Sequence, residues 1–132
     1  MSGKICLDTN IVIRIFRNDP LVPSFFARYS RCILPVPVVA ELLFAAKNSA
    51  RSVENLVIYN QFIDSCTILG ITRKTADYYS AIRLQLKCNG KPIPENDLWI
   101  AAVTLEHDLP LATADSHFGY VEGLHVYSWR CE

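Results

Sequence analysis

The sequence has no charge of either sign to spare. Thirteen Lys and Arg face thirteen Asp and Glu, so the formal net charge is zero. The basic excess of a protein that coats DNA is therefore absent, although an enzyme that sets basic residues against its own acidic site is not excluded. No uninterrupted apolar run reaches the ~18 residues of a membrane span, which argues against a membrane protein. The five cysteines are odd in number and include no C-x-x-C pair. No signal peptide precedes the strand-like run that starts at Lys4. Together these features point to free thiols in a reducing cytoplasm, with Cys6 and Cys66 as small core residues in apolar runs. Cysteine or histidine pairs at zinc spacing are missing. So are an RRM or KH signature, an internal repeat, a low-complexity tract, a long linker and any segment that looks autoinhibitory.

What is present suits one compact domain spanning residues 1–132. At this size roughly two-thirds of the unfolded surface is buried on folding, and a 51% apolar composition can fill the core. The charge is unevenly spread. Between Ser65 and Lys91 the basic residues Arg73, Lys74, Arg83, Lys87 and Lys91 oppose only Asp77. From Pro92 onward seven acids face Arg130 alone. A basic segment beside an acidic one suits a protein that attracts phosphates and holds cations.

Short apolar strands alternate with helical segments, which predicts an α/β fold with a mainly parallel sheet. Strands are predicted at Lys4 to Asp8, Cys32 to Leu34, Cys66 to Leu69, Pro110 to Thr113 and Leu124 to Tyr127. Helices are predicted after Asp8 to Phe16, over about Leu21 to Tyr29, Pro37 to Lys47, Ser52 to Asp64, Thr72 to Cys88 and Asp97 to His107. Turns at Asn18-Asp19-Pro20 and Asn89-Gly90, and a rigid connector with Pro92 and Pro94, separate them. The helix from Asp97 is apolar nearly all round, which predicts burial.

Four acidic residues stand where a solvated charge does not belong. Asp8 ends a buried parallel strand, at the sheet edge where α/β proteins bind ligands; the competing role is an N-cap, which Thr9 or Asn10 could also fill. Glu41 lies in Val38-Val39-Ala40-Glu41-Leu42-Leu43-Phe44, with Pro37, Val38, Phe44 and Ala45 as helical neighbours, so it points along an apolar face. Asp97 opens the apolar helix, where complementing the helix dipole is the plainer role and Asn96 is available as the cap. Asp115 follows Leu111-Ala112-Thr113 at another strand end, where a turn with Ser116 is the plainer role. A parallel topology brings these edges together. Two like charges ~4 Å apart cost about 4 kcal/mol at an effective dielectric near 20, and a hard divalent cation removes that cost. All-oxygen ligands suit Mg²⁺ or Mn²⁺, and the matching chemistry is phosphodiester hydrolysis.

Four blocks carry a family likeness: Ile5-Cys6-Leu7-Asp8-Thr9-Asn10, Val38-Val39-Ala40-Glu41-Leu42, Ile93-Pro94-Glu95-Asn96-Asp97-Leu98-Trp99-Ile100-Ala101-Ala102, and Leu111-Ala112-Thr113-Ala114-Asp115. With Phe118, Gly123 and Leu124 of the closing block, the chain resembles the PIN-domain ribonucleases over nearly its whole length. The likeness is strongest to the VapC-type toxins of prokaryotic toxin–antitoxin pairs. The resemblance implies a three-layer domain whose parallel strands run in the order 3-2-1-4-5 between helices. It implies that Asp8, Glu41, Asp97 and Asp115 hold one or two Mg²⁺ or Mn²⁺ ions, from which water attacks an RNA phosphate in line. Asn10 and Thr113 match positions that orient carboxylates or water. A homodimer and a separate small antitoxin that blocks the pocket are also implied. One departure stands out: many relatives carry a second aspartate two residues after the position of Asp115, and here that residue is His117, which reads on its own as a surface histidine.

Other families fit less well. A HAD-type phosphatase needs a second aspartate where Asn10 stands. A receiver-like domain needs an early acidic pair and a late lysine. A non-catalytic PIN-type domain that binds RNA or protein is expected to have lost some of the four carboxylates. Arg83 and Lys87, four apart on the long helix, are either RNA backbone contacts or a solvated face. For regulation, a strongly negative pocket calls for a cationic plug, best supplied by arginine on an antitoxin tail.

Overall fold

The computed structural model describes residues 3–129; Arg130 and Cys131 lie outside them. Five strands form one all-parallel sheet: β1 (Lys4–Leu7), β2 (Arg31–Pro35), β3 (Thr67–Leu69), β4 (Leu111–Thr113) and β5 (Val126–Ser128). Their order is β3-β2-β1-β4-β5, as the resemblance implied. The helices that flank it are α1 (Thr9–Phe16), α2 (Val22–Arg28), α3 (Val36–Lys47), α4 (Ser52–Ser65), α5 (Arg73–Cys88) and α6 (Glu95–Glu106), with a short 3-10 turn over Ser116–Tyr120. Parallel strands are buried on both faces and need apolar runs. The central strand β1 supplies one, with Ile5, Cys6 and Leu7 fully buried. β1 lies between β2 and β4, where the strand order reverses. A crevice opens there at the carboxyl ends of the strands, beside Asp8 and the residues that follow Thr113.

Several predicted boundaries move. α6 begins at Glu95 rather than Asp97, because Pro94 holds the N-cap position with its φ of −56° already suited to a helix start. Asp97 is thus third in the helix, and neither it nor Asn96 caps; no side chain does. The last strand starts at Val126 rather than Leu124. Gly123 turns the chain at φ +80°, and the Leu124 N–H donates back to the Val121 carbonyl. The 3-10 turn was not foreseen. On α3 the apolar face is narrower than the sequence suggests: Pro37, Val38, Leu42 and Ala46 are buried, but Phe44 is 69% exposed. Cys6 is buried as expected, whereas Cys66 is only half-buried; all four described cysteines are free. Among the described residues no helix is long and apolar enough to cross a membrane.

Candidate active site

Asp8 directly follows β1 and sits with only 5% of its surface exposed. Its extended backbone and its side chain make it the N-cap of α1, accepting from the Thr9 N–H at 2.8 Å. The strand-end and cap roles, which the sequence set against each other, are filled by the same residue. Its other oxygen, Oδ2, accepts from Thr113 Oγ1 at 2.8 Å and Asn10 Nδ2 at 3.1 Å. Burial pushes the Asp8 carboxyl above the usual range, against the hydrogen bonds from Thr113 and Thr9, and the charges of Glu41 and Asp115 push the same way.

Two short residues tie this carboxylate to the neighbouring strand. Thr113 Oγ1 donates to Asp8 and accepts from the Asp115 N–H at 2.9 Å. Asn10 donates to Asp8 through Nδ2, and its Oδ1 accepts from the Ala114 N–H at 3.1 Å. The ends of β1 and β4 are thereby cross-braced through side chains. Hydrogen bonds to a charged group are about twice as strong as neutral ones, so the braces hold Asp8 firmly.

Asp97 reaches the same crevice from the first turn of α6. Burial comes first, then the charges of Asp8, Asp115 and Glu41, and together they push its carboxyl up to about 6; His117 pulls the other way. Glu41 stands at the margin of the apolar stripe, half-buried, and accepts from Thr9 Oγ1 at 2.5 Å. Thr9 is a site residue that sequence reasoning weighed only as a cap. Its position between Asp8 and Asn10 was the available signal, but only the packing of α1 against α3 reveals Glu41 as its partner. Asp115 caps the 3-10 turn, its Oδ1 accepting from the His117 N–H at 2.9 Å. His117 is the exposed surface histidine expected, with its side chain 54% exposed, but its ring is also engaged: Nδ1 lies 2.8 Å from the same Oδ1.

The four predicted carboxylates therefore face one crevice, and the charges of Glu41 and Asp115 act on both Asp8 and Asp97. They do not close on a common point. Among the described residues, no three Asp, Glu, His or Cys side chains are arranged to grip a metal ion. Two open cavities include residues of the crevice, one lined by Asn10, Ile13, Arg14, Arg17 and Asp19 and another bordered by Thr113, Asp115 and Ser116. The donor chemistry still fits a hard cation: the oxygens are all carboxylate, one carboxylate is deeply buried, and the accumulated negative charge is strong enough to raise Asp97.

Arg83 and Lys87 lie elsewhere, beside a cavity between α5 and α6 that Leu86, Pro92, Ile93 and Leu98 also line. Arg83 donates to the Tyr79 hydroxyl at 2.8 Å and pairs with Glu95 at 3.7 Å. Tyr79 in turn donates to Glu95 and stacks on Trp99, with ring centroids 4.0 Å apart.

Comparison with known proteins agrees with this architecture. A family model described as the PIN domain matches residues 5–124. The chain is 32% identical to Ribonuclease VapC2 of Haemophilus influenzae, over 96% of this chain and 98% of that protein. Among solved structures, DNA-bound VapBC from Salmonella typhimurium superposes with a TM-score of 0.88 at 24% identity, covering 97% of this chain and 99% of that one. VapBC-5 from Mycobacterium tuberculosis, a member of the VapBC family of toxin–antitoxin systems, gives a TM-score of 0.77 at 26% identity, covering 98% and 99%.

Proposed function

This chain belongs to the PIN-domain family, and from that premise we propose that it is an endoribonuclease dependent on Mg²⁺ or Mn²⁺ and the toxin of a toxin–antitoxin pair. The observation that carries the reading is the electrostatic state of Asp97. Burial first, and then the charges of Asp8, Asp115 and Glu41, push its carboxyl up to about 6, and the natural partner of such half-buried, crowded carboxylates is a divalent cation. The match to a protein named a ribonuclease over nearly the full length of both chains supports the activity.

In this reading Asp8, Asp97 and Asp115 hold the ion and Glu41 completes the acidic wall. When bound, such an ion supplies positive charge to a phosphodiester and favours attack by water. The chain's own residues do the positioning. Thr113 and Asn10 fix the orientation of Asp8, Thr9 fixes Glu41, and the first turn of α6 aims Asp97. Open flanks admit a polymer where a closed pocket would not. The substrate is RNA and the compartment the cytoplasm, in keeping with four free cysteines. The partner is a separate antitoxin, as the toxin–antitoxin membership of VapBC-5 suggests, and the working form is a homodimer. A cationic antitoxin side chain, best an arginine, neutralises the carboxylates while apolar contact supplies most of the affinity. Exposed Phe44, Val53, Val57 and Ile58 on α3 and α4 offer apolar surface for it.

The test is cleavage of a mixed RNA pool by the purified chain, in EDTA and after adding Mg²⁺ or Mn²⁺, alongside Asp97→Asn. Cleavage that needs the ion and the aspartate is expected. Full activity in EDTA overturns the metal reading, and no cleavage under any condition by a folded, antitoxin-free chain overturns the nuclease reading.

A further inference from the structure

We propose that His117 is a positioning residue: it braces the Asp115 carboxylate so that one defined oxygen is offered to a divalent cation. The inference rests on the metal reading above and adds to it a residue that no comparison assigns.

Asp115 leaves β4 with extended backbone, at φ −92° and ψ 119°, and its side chain turns back over the 3-10 turn. Oδ1 then meets His117 twice, at the backbone N–H (2.9 Å) and at ring Nδ1 (2.8 Å). The first contact is ordinary turn capping and needs no particular side chain. The second requires the imidazole. With Nδ1 against a carboxylate oxygen, the ring proton sits on Nδ1 and is donated to Oδ1. Both donors fall on the same oxygen, and among the described residues no hydrogen bond goes to Oδ2. The carboxylate is thus held by one edge and free at the other.

Such a brace has a clear use here. The terminal torsion of an aspartate is broad and weakly directed, and neighbouring carboxylates would turn an unbraced one away. Two donors on one oxygen select a single orientation. The ring is reached from solvent, with the side chain 54% exposed, yet stays against the Asp115 carboxylate. Tyr120 stands beside it with ring centroids 6.2 Å apart, so the imidazole has an aromatic neighbour on the same turn. Loss of partners that orient metal-binding side chains weakens metal affinity by about 10- to 100-fold.

The experiment measures Mn²⁺ binding to the whole chain without RNA, by calorimetry and by the loss of the free-ion electron resonance signal, at one neutral pH. The wild type, His117→Ala and His117→Asn are compared, with thermal melting in EDTA to confirm folding. The alanine variant should bind Mn²⁺ about 10-fold or more weakly. The asparagine variant should recover most of the affinity, because its amide N–H sits near the place of Nδ1–H. Wild-type affinity in His117→Ala overturns the role of His117 while leaving the metal reading intact. An asparagine variant no better than alanine overturns the hydrogen-bond brace. Failure of the wild type to bind Mn²⁺ overturns the metal reading, and this inference with it.

Discussion

Removing the charge of Asp97 should stabilise the metal-free protein. Its carboxyl is raised from an ordinary value of 3.8 to about 6, first by burial and then by Asp8, Asp115 and Glu41. At about 1.36 kcal/mol per unit, the ionised side chain costs about 3 kcal/mol at neutral pH. Asp97 is half-buried, and solvent screening trims this to about 1–2 kcal/mol. Asp97→Asn keeps the shape and removes the charge. It also forfeits a favourable interaction with the start of α6, about 0.3–1 kcal/mol, which leaves a net gain of about 1 kcal/mol. For a domain of this size that raises Tm by roughly 3–5 °C. The pH dependence has a definite sign. A folded-state value above the unfolded one means the folded protein holds its proton more tightly, so the destabilisation is complete above about pH 6 and declines to nothing near pH 3.8. The variant's advantage should follow that course. Saturating Mn²⁺ should reverse the order, since an ion at 100 times its Kd stabilises the wild type by about 2.7 kcal/mol and has lost a ligand in the variant. Melting curves in EDTA and in Mn²⁺ across that pH range provide the assay. A variant that melts at or below the wild type in EDTA near neutral pH, or an advantage that does not shrink on acidification, would refute the reasoning.

Asp8→Asn should behave differently although it also abolishes cleavage. Three donors converge on Asp8, one on Oδ1 and two on Oδ2, and asparagine keeps only one accepting oxygen, so at least one donor is left facing an amide nitrogen; the variant should be less stable than Asp97→Asn in EDTA, by about 1 kcal/mol or more. Thr113→Val, nearly isosteric, removes both the bond to Asp8 and the acceptor for the Asp115 N–H. Urea unfolding should show a loss of about 2 kcal/mol, and an unshifted midpoint would mean that the brace is dispensable. The Arg83→Ala, Lys87→Ala double variant, built on Asp97→Asn to prevent cleavage, tests the two as phosphate contacts. The salt dependence of single-stranded RNA binding should flatten by about 1.4 in log–log slope if both touch backbone; an unchanged slope makes them a solvated face.

The parallel sheet and the edge that carries the crevice were legible because they depend on patterns that survive in one dimension, whereas the strand order came from the family resemblance. An apolar run ending in Asp8, and another ending shortly before Asp115, announce two strand ends, and parallel topology puts strand ends on one edge. The start of α6 was misplaced because Asp97 and Asn96 look like initiators, whereas Pro94 supplies the starting geometry without a capping side chain. Leu124 mimics a strand residue, but Gly123 still has the chain turning there. The environment of Glu41 was only partly legible: helical spacing located its face, but the exposure of Phe44 and the bond from Thr9 depend on tertiary packing. His117 was hidden most completely. A histidine in a polar turn resembles any surface histidine until the side chain of Asp115 is seen to fold back onto it.

The bond from Thr113 to Asp8 spans 105 positions of sequence, and this bears on when during synthesis the crevice can form. β1 is synthesised well before β4, its neighbour in the sheet. Domains emerge at about 5–20 residues per second, so roughly 5–20 s separate the birth of the two residues. During that interval the nascent chain carries Asp8 without the brace from Thr113, without Asp97 for most of it and without Asp115 for all of it. The acidic crevice can assemble only after β4 and Asp115 have been made, so under the proposed function a nascent chain still short of them carries no complete site.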